Sequence, residues 1–207
     1  VIRVLLADDH EIVRDGLKRI LTATTDVQVT GEAASGDEAL ALVRAGDFDV
    51  ALLDMSMPGI SGIDLIKRLK IEKPGLKLLI LSMHGEHQYA ARALKAGASG
   101  YLTKDSASEK LLGALRKVAA GGVHLSDATA ASLVHGAAGD APPHTRLSDR
   151  EFEVFRLIAG GRSPTEIAEQ LHLSVKTVST HKAHIQQKLG LSGTADLVRY
   201  ALEHKLV

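Results

Sequence analysis

Phe48-Asp49-Val50-Ala51-Leu52-Leu53-Asp54-Met55-Ser56-Met57-Pro58-Gly59 is the stretch whose reading decides the fold. The apolar run ending at Leu53 is short and nearly unbroken, the pattern of a parallel strand covered on both faces. It carries one carboxylate, Asp54, to its C-terminal end, and Pro58-Gly59 then turns the chain into a loop. Open α/β sheets keep their ligands and chemistry at the exits of such strands. Asp54 is therefore read as a candidate phosphate acceptor, with the rest of the chain either loading it or reading it.

Outward from this strand, strand and helix signals alternate five times before residue 122. Apolar runs at Arg3–Ala7, Val27–Ala34, Val50–Leu53, Leu76–Leu81 and Gly100–Leu102 are strand-like. Between and after them, helical spacing marks Glu11–Leu21, Asp37–Ala45, Ile63–Lys70, Glu86–Ala96 and Ser108–Ala120. Such alternation predicts βαβ units and a parallel sheet with helices on both faces. Right-handed crossovers leave a doubly wound five-stranded sheet of order 2-1-3-4-5, the flavodoxin-like arrangement, as the leading topology.

Parallel strands all exit on one edge, so Asp8 and Asp9, Asp54, Ser82 and Lys104 are expected to converge on one crevice. Three carboxylates this close raise one another's pKa unless a cation lies between them. Hard oxygen ligands suit Mg²⁺ (or Mn²⁺), which keeps positions for water and phosphate. A carboxylate held ionised in this way can attack phosphorus. Lys104 then neutralises charge on the transferred group, and the Ser82 hydroxyl donates to one of its oxygens.

Leu-Leu-Ala-Asp-Asp-His, Leu-Leu-Asp-Met-Ser-Met-Pro-Gly, Leu-Ile-Leu-Ser and Gly-Tyr-Leu-Thr-Lys, in that order, resemble the receiver domain of two-component response regulators over residues 1–122. The resemblance implies Asp54 as phosphoacceptor and Asp9 as a direct metal ligand. Asp8 acts mostly through water, and the backbone carbonyl of Ser56 completes the protein ligands. Ser82 and Tyr101 correspond to the switch pair, a hydroxyl that moves toward the phosphoryl group and an aromatic ring that follows. The family also implies a cis peptide after the lysine, although Asp105 stands here where many receivers have proline. Met83 is large for its position, and His84 falls near the mouth of the crevice.

Gly121-Gly122 stops the preceding helix. Residues 123–145 read as a linker containing a short helix, Asp127–His135, followed by a Gly- and Pro-rich run ending at Pro142-Pro143-His144. Beyond it, residues 146–207 are all helical in pattern. Ser148 with Glu151, and Ser163 with Glu166, form capping boxes, and Pro164 stands at a first helical position. Ser174 caps a third helix that Gly190 stops, and Thr194–Glu203 gives a fourth. Two of these helices joined by a short turn fit a helix-turn-helix.

At ~100° per residue, Val175, Val178, Ile185 and Leu189 of the third helix share one side and are expected in the core. Lys176, Ser179, Thr180, Ala183 and Gln187 share the opposite side, short enough to enter a major groove, with Lys182 and Lys188 flanking it toward phosphates. Few of these side chains make bidentate base contacts, so thymine-methyl contact by Thr180 and Ala183 and DNA shape are expected to share the readout. A plain solvated face is the competing reading of the same wheel. Leu-Ser-Asp-Arg-Glu-Phe-Glu-Val, Glu-Ile-Ala-Glu-Gln-Leu, Ser-Val-Lys-Thr-Val-Ser-Thr-His-Lys and Lys-Leu-Gly-Leu resemble the four-helix DNA-binding domain of the LuxR/NarL/FixJ type. That resemblance maps DNA contacts onto Ser179, Thr180, Lys182 and Ala183, and dimerisation onto Leu197, Val198 and Ala201 of the last helix.

The chain of 207 residues has 45% hydrophobic content, no cysteine and balanced formal charge, 25 Lys and Arg against 25 Asp and Glu. These values exclude a disulfide scaffold and a thiolate metal site and fit a folded protein of a reducing cytoplasm. Val1 opens directly on a strand pattern, which suggests a trimmed natural N-terminus. The charge balance hides a C-terminal excess: residues 146–207 carry 9 Lys and Arg against 7 Asp and Glu. His84 with His87, and His181 with His184, have helical spacings open to zinc but no third ligand nearby; the second pair is placed at the DNA boundary.

The reading is a phosphorylation-controlled transcriptional regulator, not an enzyme beyond its own phosphorylation and dephosphorylation. Its expected partners are a sensor histidine kinase, double-stranded promoter DNA, a second copy of itself and RNA polymerase, with no membrane. Two rivals stand beside it. An aspartyl-phosphate phosphohydrolase needs a second acid two residues after the nucleophile, where Ser56 and His10 stand. A phosphorylation-independent DNA-binding regulator would leave the acid pair, Ser82 and Lys104 without a task.

Overall fold

The computed structural model describes residues 1–60, 62–82, 87–126, 129–130 and 142–207. Met83, His84, Glu86 and most of the helix expected at Asp127–His135 lie outside the described residues. The chain forms two compact units, Val1–Ala130 and Ala131–Val207.

The first unit is a five-stranded, all-parallel sheet in the order β2-β1-β3-β4-β5, with strands β1 (Ile2–Ala7), β2 (Val27–Ala33), β3 (Val50–Asp54), β4 (Lys77–Ser82) and β5 (Gly100–Thr103). Helices α1 (Glu11–Thr22), α2 (Gly36–Ala45), α3 (Gly62–Glu72), α4 (His87–Lys95) and α5 (Lys104–Ala119) connect and follow them. Every residue of β3 is buried, as its unbroken apolar run predicts for a central strand. Leu52 sits in register with Leu6 on one side and Leu79 on the other. Beneath the sheet, Leu17, Leu21, Leu111, Leu115 and Val118 close one core against these strands.

Local chemistry fixes the entries to the helices. Ser35 accepts from the Glu38 amide at 3.2 Å, while the Glu38 carboxylate accepts from the Ala34 amide at 2.8 Å. Gly36 is required by close approach: a Cβ there would lie 1.6 Å from the Ile60 carbonyl oxygen. That contact holds the start of α2 against the loop after β3.

The structure departs from the sequence reading at α5, which begins at Lys104 instead of Ser108. The chain turns from strand to helix within one peptide, and Thr103 Oγ1 meets Ser106 Oγ at 2.8 Å across that turn. Among the described residues there is no cis peptide bond, so the Lys104–Asp105 bond is trans. A cis form without proline would cost ~3–4 kcal/mol. The compositional boundary at 122 also falls short of the sheet's edge: His124 forms a parallel bridge with Gly100 of β5.

The described part of the second unit begins with a 3-10 turn (Pro143–Arg146), followed by α6 (Asp149–Ala159), α7 (Pro164–Gln170), α8 (Val175–Leu189) and α9 (Thr194–Glu203). Both capping boxes form, and Ser174 accepts from the Thr177 amide. Gly190 ends α8 at φ +66°, a left-handed conformation natural to glycine. Phe152, Phe155, Ile158, Ile167, Val178, Ile185, Leu189, Leu197 and Ala201 are buried. The buried His144 fastens the entry turn, its Nδ1 lying 2.9 Å from the Tyr200 hydroxyl.

Two apolar assignments change. Val175, expected in the core, is 45% exposed, because it is the first residue of α8 and stands a turn away from the buried Val178. Leu197 and Ala201, expected at a dimer surface, are fully buried inside this unit. The exposed apolar side of α9 is carried instead by Ala195 and Leu202, with Val198 half-buried between them.

Candidate functional site

The strand exits of the first unit do converge. Ala7 pairs with Leu53, Asp54 with Leu81, and Ser82 with Thr103, so the residues that follow these pairs share one sheet edge. Asp8 is fully buried and Asp54 is 1% exposed, an unusual placement for carboxylates. One cation answers both: Lys104 Nζ lies 2.7 Å from Asp8 Oδ2 and 3.0 Å from Asp54 Oδ2. Only the first contact has hydrogen-bond geometry, which leaves Asp54 Oδ2 buried with an ion pair but no hydrogen bond. Asp54 Oδ1 accepts a long bond of 3.4 Å from the Ser56 amide.

Burial pushes the Asp54 carboxyl above its ordinary range; Lys104 opposes that rise, and Asp8 adds to it. For Lys104, burial favours the neutral amine, but its hydrogen bond to Asp8 and its ion pair with Asp54 outweigh this and raise its pKa. Asp8 is further held by the His10 amide, 2.9 Å from its Oδ1, and its carbonyl accepts from Arg14 Nη1 at 2.6 Å. Ser82 and Tyr101 are both buried, at the end of β4 and the start of β5.

Ligand atoms of Asp8, Asp9, His10 and Asp54 all lie within 4.8 Å of one another. Three carboxylates against one ammonium, with one carboxylate oxygen lacking a donor, suit a hard divalent cation such as Mg²⁺. His10 is the member that sequence reading did not place in the cluster. Its Nδ1 is 3.0 Å from Asp9 Oδ1 and 3.4 Å from Asp8 Oδ1. The signal was simple adjacency in Asp8-Asp9-His10.

On α8, Lys176, Ser179, Thr180, Ala183 and Gln187 are exposed together, as the wheel predicts. The hydroxyls of Ser179 and Thr180 donate back to the Val175 and Lys176 carbonyls, each at 3.0 Å, so they face outward as acceptors and carbon. Lys182 is half-buried and donates to Thr194 Oγ1 at 2.6 Å. Lys188 does not stand free for phosphate: its Nζ lies 2.6 Å from Oε2 of Glu151, a carboxylate that is 5% exposed. Sequence reading took Glu151 as a capping residue alone, since nothing local announces a partner 37 positions away. His181, on the flank of the face, is kept toward its neutral form, first by burial and then by Arg150.

Residues 4–116 match the response regulator receiver domain, and residues 145–201 match the bacterial regulatory proteins of the luxR family. Response regulator UvrY of Escherichia coli K12 is 35% identical over 209 residues, spanning 100% of this chain and 96% of its own. Oxygen regulatory protein NreC of Staphylococcus carnosus is 39% identical over 214 residues, spanning 99% of each. Among solved structures, the RcsB response regulator of Salmonella typhimurium aligns over 98% of both chains, with a TM-score of 0.79 and 32% identity. An RcsB–DNA complex aligns over 96% of both, with a TM-score of 0.61 and 32% identity.

Proposed function

Because the chain belongs to the response regulators that join a receiver domain to a LuxR-type DNA-binding domain, and is thus a DNA-binding transcriptional regulator of the two-component type, we propose that Asp54 is its phosphoacceptor. The observation that carries this reading is the buried Asp54 Oδ2, which lacks a hydrogen bond and lies 3.0 Å from Lys104. A carboxylate oxygen so placed is shielded from water, faces one positive charge and keeps its lone pairs free of any hydrogen-bond donor.

In the proposed reaction, an Asp54 oxygen attacks the phosphorus of a phosphohistidine on a sensor kinase. A P–O bond forms, the P–N bond breaks, and the electron pair leaves with the imidazole. Asp8, Asp9, Asp54 and the Ser56 carbonyl would hold Mg²⁺ or Mn²⁺, which supplies charge neutralisation at the phosphoryl oxygens. Lys104 is close enough to exchange its carboxylate partners for those oxygens. Ser82 donates a hydrogen bond to the same group, and Tyr101 follows it, biasing the receiver toward a second arrangement.

The output is the exposed side of α8: Lys176, Ser179, Thr180 and Ala183 toward bases, with Lys182 toward the backbone. Lys188 is tied to Glu151 and is not part of that set. A relative, RcsB, has been solved as two dimers on two parallel DNAs. This supports a homodimer here, pairing through Val198 and Leu202 on the open side of α9 and reading two half-sites. A histidine kinase, promoter DNA and RNA polymerase are the proposed partners, and the cytoplasm the proposed place. Among the described residues no helix is long and apolar enough to cross a membrane.

Exposure to acetyl phosphate with Mg²⁺ tests the assignment. The wild-type chain takes up acid-labile label and Asp54→Asn takes up none; equal labelling of the two would contradict it.

A further inference from the structure

Beside the α8 face lies a feature the DNA-binding reading does not use. A cavity of about 520 Å³ is lined by Arg146, Glu151, His184, Gln187 and Lys188. Its floor is the buried Glu151, whose charge Lys188 cancels at 2.6 Å; His184 Nδ1 stands 3.9 Å from the same carboxylate. Arg146 is exposed, and its guanidinium has no hydrogen bond or ion pair among the described residues. The cavity therefore carries one uncompensated positive charge. The backbone that bears it is anchored, because Arg146 closes the 3-10 turn that the His144–Tyr200 bond fastens, while its side chain is free to reach a ligand.

At ~100° per residue, His184 and Gln187 lie within about 40° of Thr180 around α8. The cavity thus opens on the edge of the side that enters the groove. We propose, resting on the DNA-binding reading above, that Arg146 and Gln187 seat one backbone phosphate of the bound duplex. Arg146 replaces Lys188 as the cation on this flank. A guanidinium suits the task because it can grip two phosphate oxygens at once, and the Gln187 amide can donate to a third.

The test is duplex binding by the full chain, activated with beryllofluoride, on a mixed-sequence duplex over a series of KCl concentrations. One phosphate contact contributes about 0.9 to the slope of log K against log salt. Arg146→Ala is expected to lower the slope by about that amount on every sequence, Arg146→Lys to recover most of it, and the circular dichroism to stay unchanged. An unaltered slope in Arg146→Ala, beside a wild type that binds, overturns the phosphate seat alone. A wild type that binds no duplex overturns the DNA-binding reading and the seat with it.

A separate observation concerns the chain as it leaves the receiver. The Tyr101 amide donates to the His124 carbonyl at 2.9 Å, and the His124 amide donates to the Ser99 carbonyl at 3.2 Å. His124 thereby clips onto the free edge of β5, on the very peptide that carries Tyr101. The clip packs tightly on Gly100: a Cβ there would lie 3.1 Å from the His124 carbonyl oxygen, closer than an ordinary contact, and 2.8 Å from Leu79 Cδ1.

The geometry points to residues 123–125 as a strap, released or tightened as Tyr101 moves, that conveys the state of the receiver to the segment leading to the DNA-binding domain. This rests on the Tyr101 role proposed above. Amide hydrogen exchange on the full chain tests it. Beryllofluoride is expected to change protection at Tyr101 and His124 at least about tenfold in the wild type and not in Asp54→Asn. If the amides of Met55 and Ser56 respond while those two do not, the strap is wrong. If none responds, the phosphoacceptor reading fails as well.

Discussion

The acidic crevice of the receiver and the exposed side of α8 contain similar numbers of polar groups, arranged on opposite terms. In the crevice, Asp8 and Asp54 share one lysine, and an Asp54 oxygen is left without a donor. On α8, the Ser179 and Thr180 hydroxyls, Lys182 and Lys188 all have partners within their own unit. A buried deficit of positive charge requires a ligand, and few ligands fit. A surface that is already satisfied is ready to bind but does not specify what. The crevice therefore names its chemistry from a handful of residues, whereas the helix needed the family match to be read as DNA-binding.

This contrast can be broken at several points. The largest effect is expected at Lys104. Lys104→Met should slow phosphoryl uptake from acetyl phosphate by about 100-fold or more, the scale of removing one preorganised donor from a developing anion. Rates within a factor of a few of wild type would mean that the crevice is no more dependent on its cation than α8 is. Metal comes next. Mg²⁺ at about one hundred times its dissociation constant should stabilise the receiver by about 2.7 kcal/mol, read as a rise in melting temperature. Asp9→Asn should remove most of that rise, and an equal rise in both proteins would remove the metal from the site.

In the DNA-binding unit, Lys188→Ala leaves Glu151 buried without its cation. Since the lysine is itself 40% exposed, we expect a loss of about 1–2 kcal/mol, well short of a fully buried pair. The loss should appear as weaker hydrogen-exchange protection in α6 and α8. No loss, together with a reduced salt slope in DNA binding, would return Lys188 to the phosphate set.

The smallest effect is one of pH. Burial, then Lys117 and Lys110, lower the His124 pKa below its ordinary 6.5. The folded state thus prefers the neutral ring, and its contribution is whole above about pH 6.5. It is lost as pH falls through that value toward the lower folded pKa, because the unfolded chain takes up the proton first. His124→Asn should flatten that limb of the stability curve, as followed by urea unfolding at a series of pH values.

Much of the receiver was legible in the sequence because its signals are local or follow from topology. A fully apolar Val50–Leu53 run marks a central strand, and once five strands are parallel, Asp8, Asp9, Asp54, Ser82 and Lys104 must share an edge. The errors arose where a position depends on where the core ends. Periodicity puts Val175 with Val178, and Leu197 and Ala201 with Val198, but it does not say which of them the core covers. It gives no sign that Glu151 reaches Lys188, or that His124 pairs with β5. Those contacts join residues distant in sequence, and only packing reveals them.

The central claim is that the state of Asp54 sets the DNA affinity of α8. Affinity of the full-length chain for a duplex selected by the chain itself, measured with and without beryllofluoride, tests it most directly. The wild type should bind at least about tenfold tighter when loaded, within the usual range of coupling between two sites, and Asp54→Asn should not change. Equal affinities in the wild type, or the same gain in Asp54→Asn, would contradict the account.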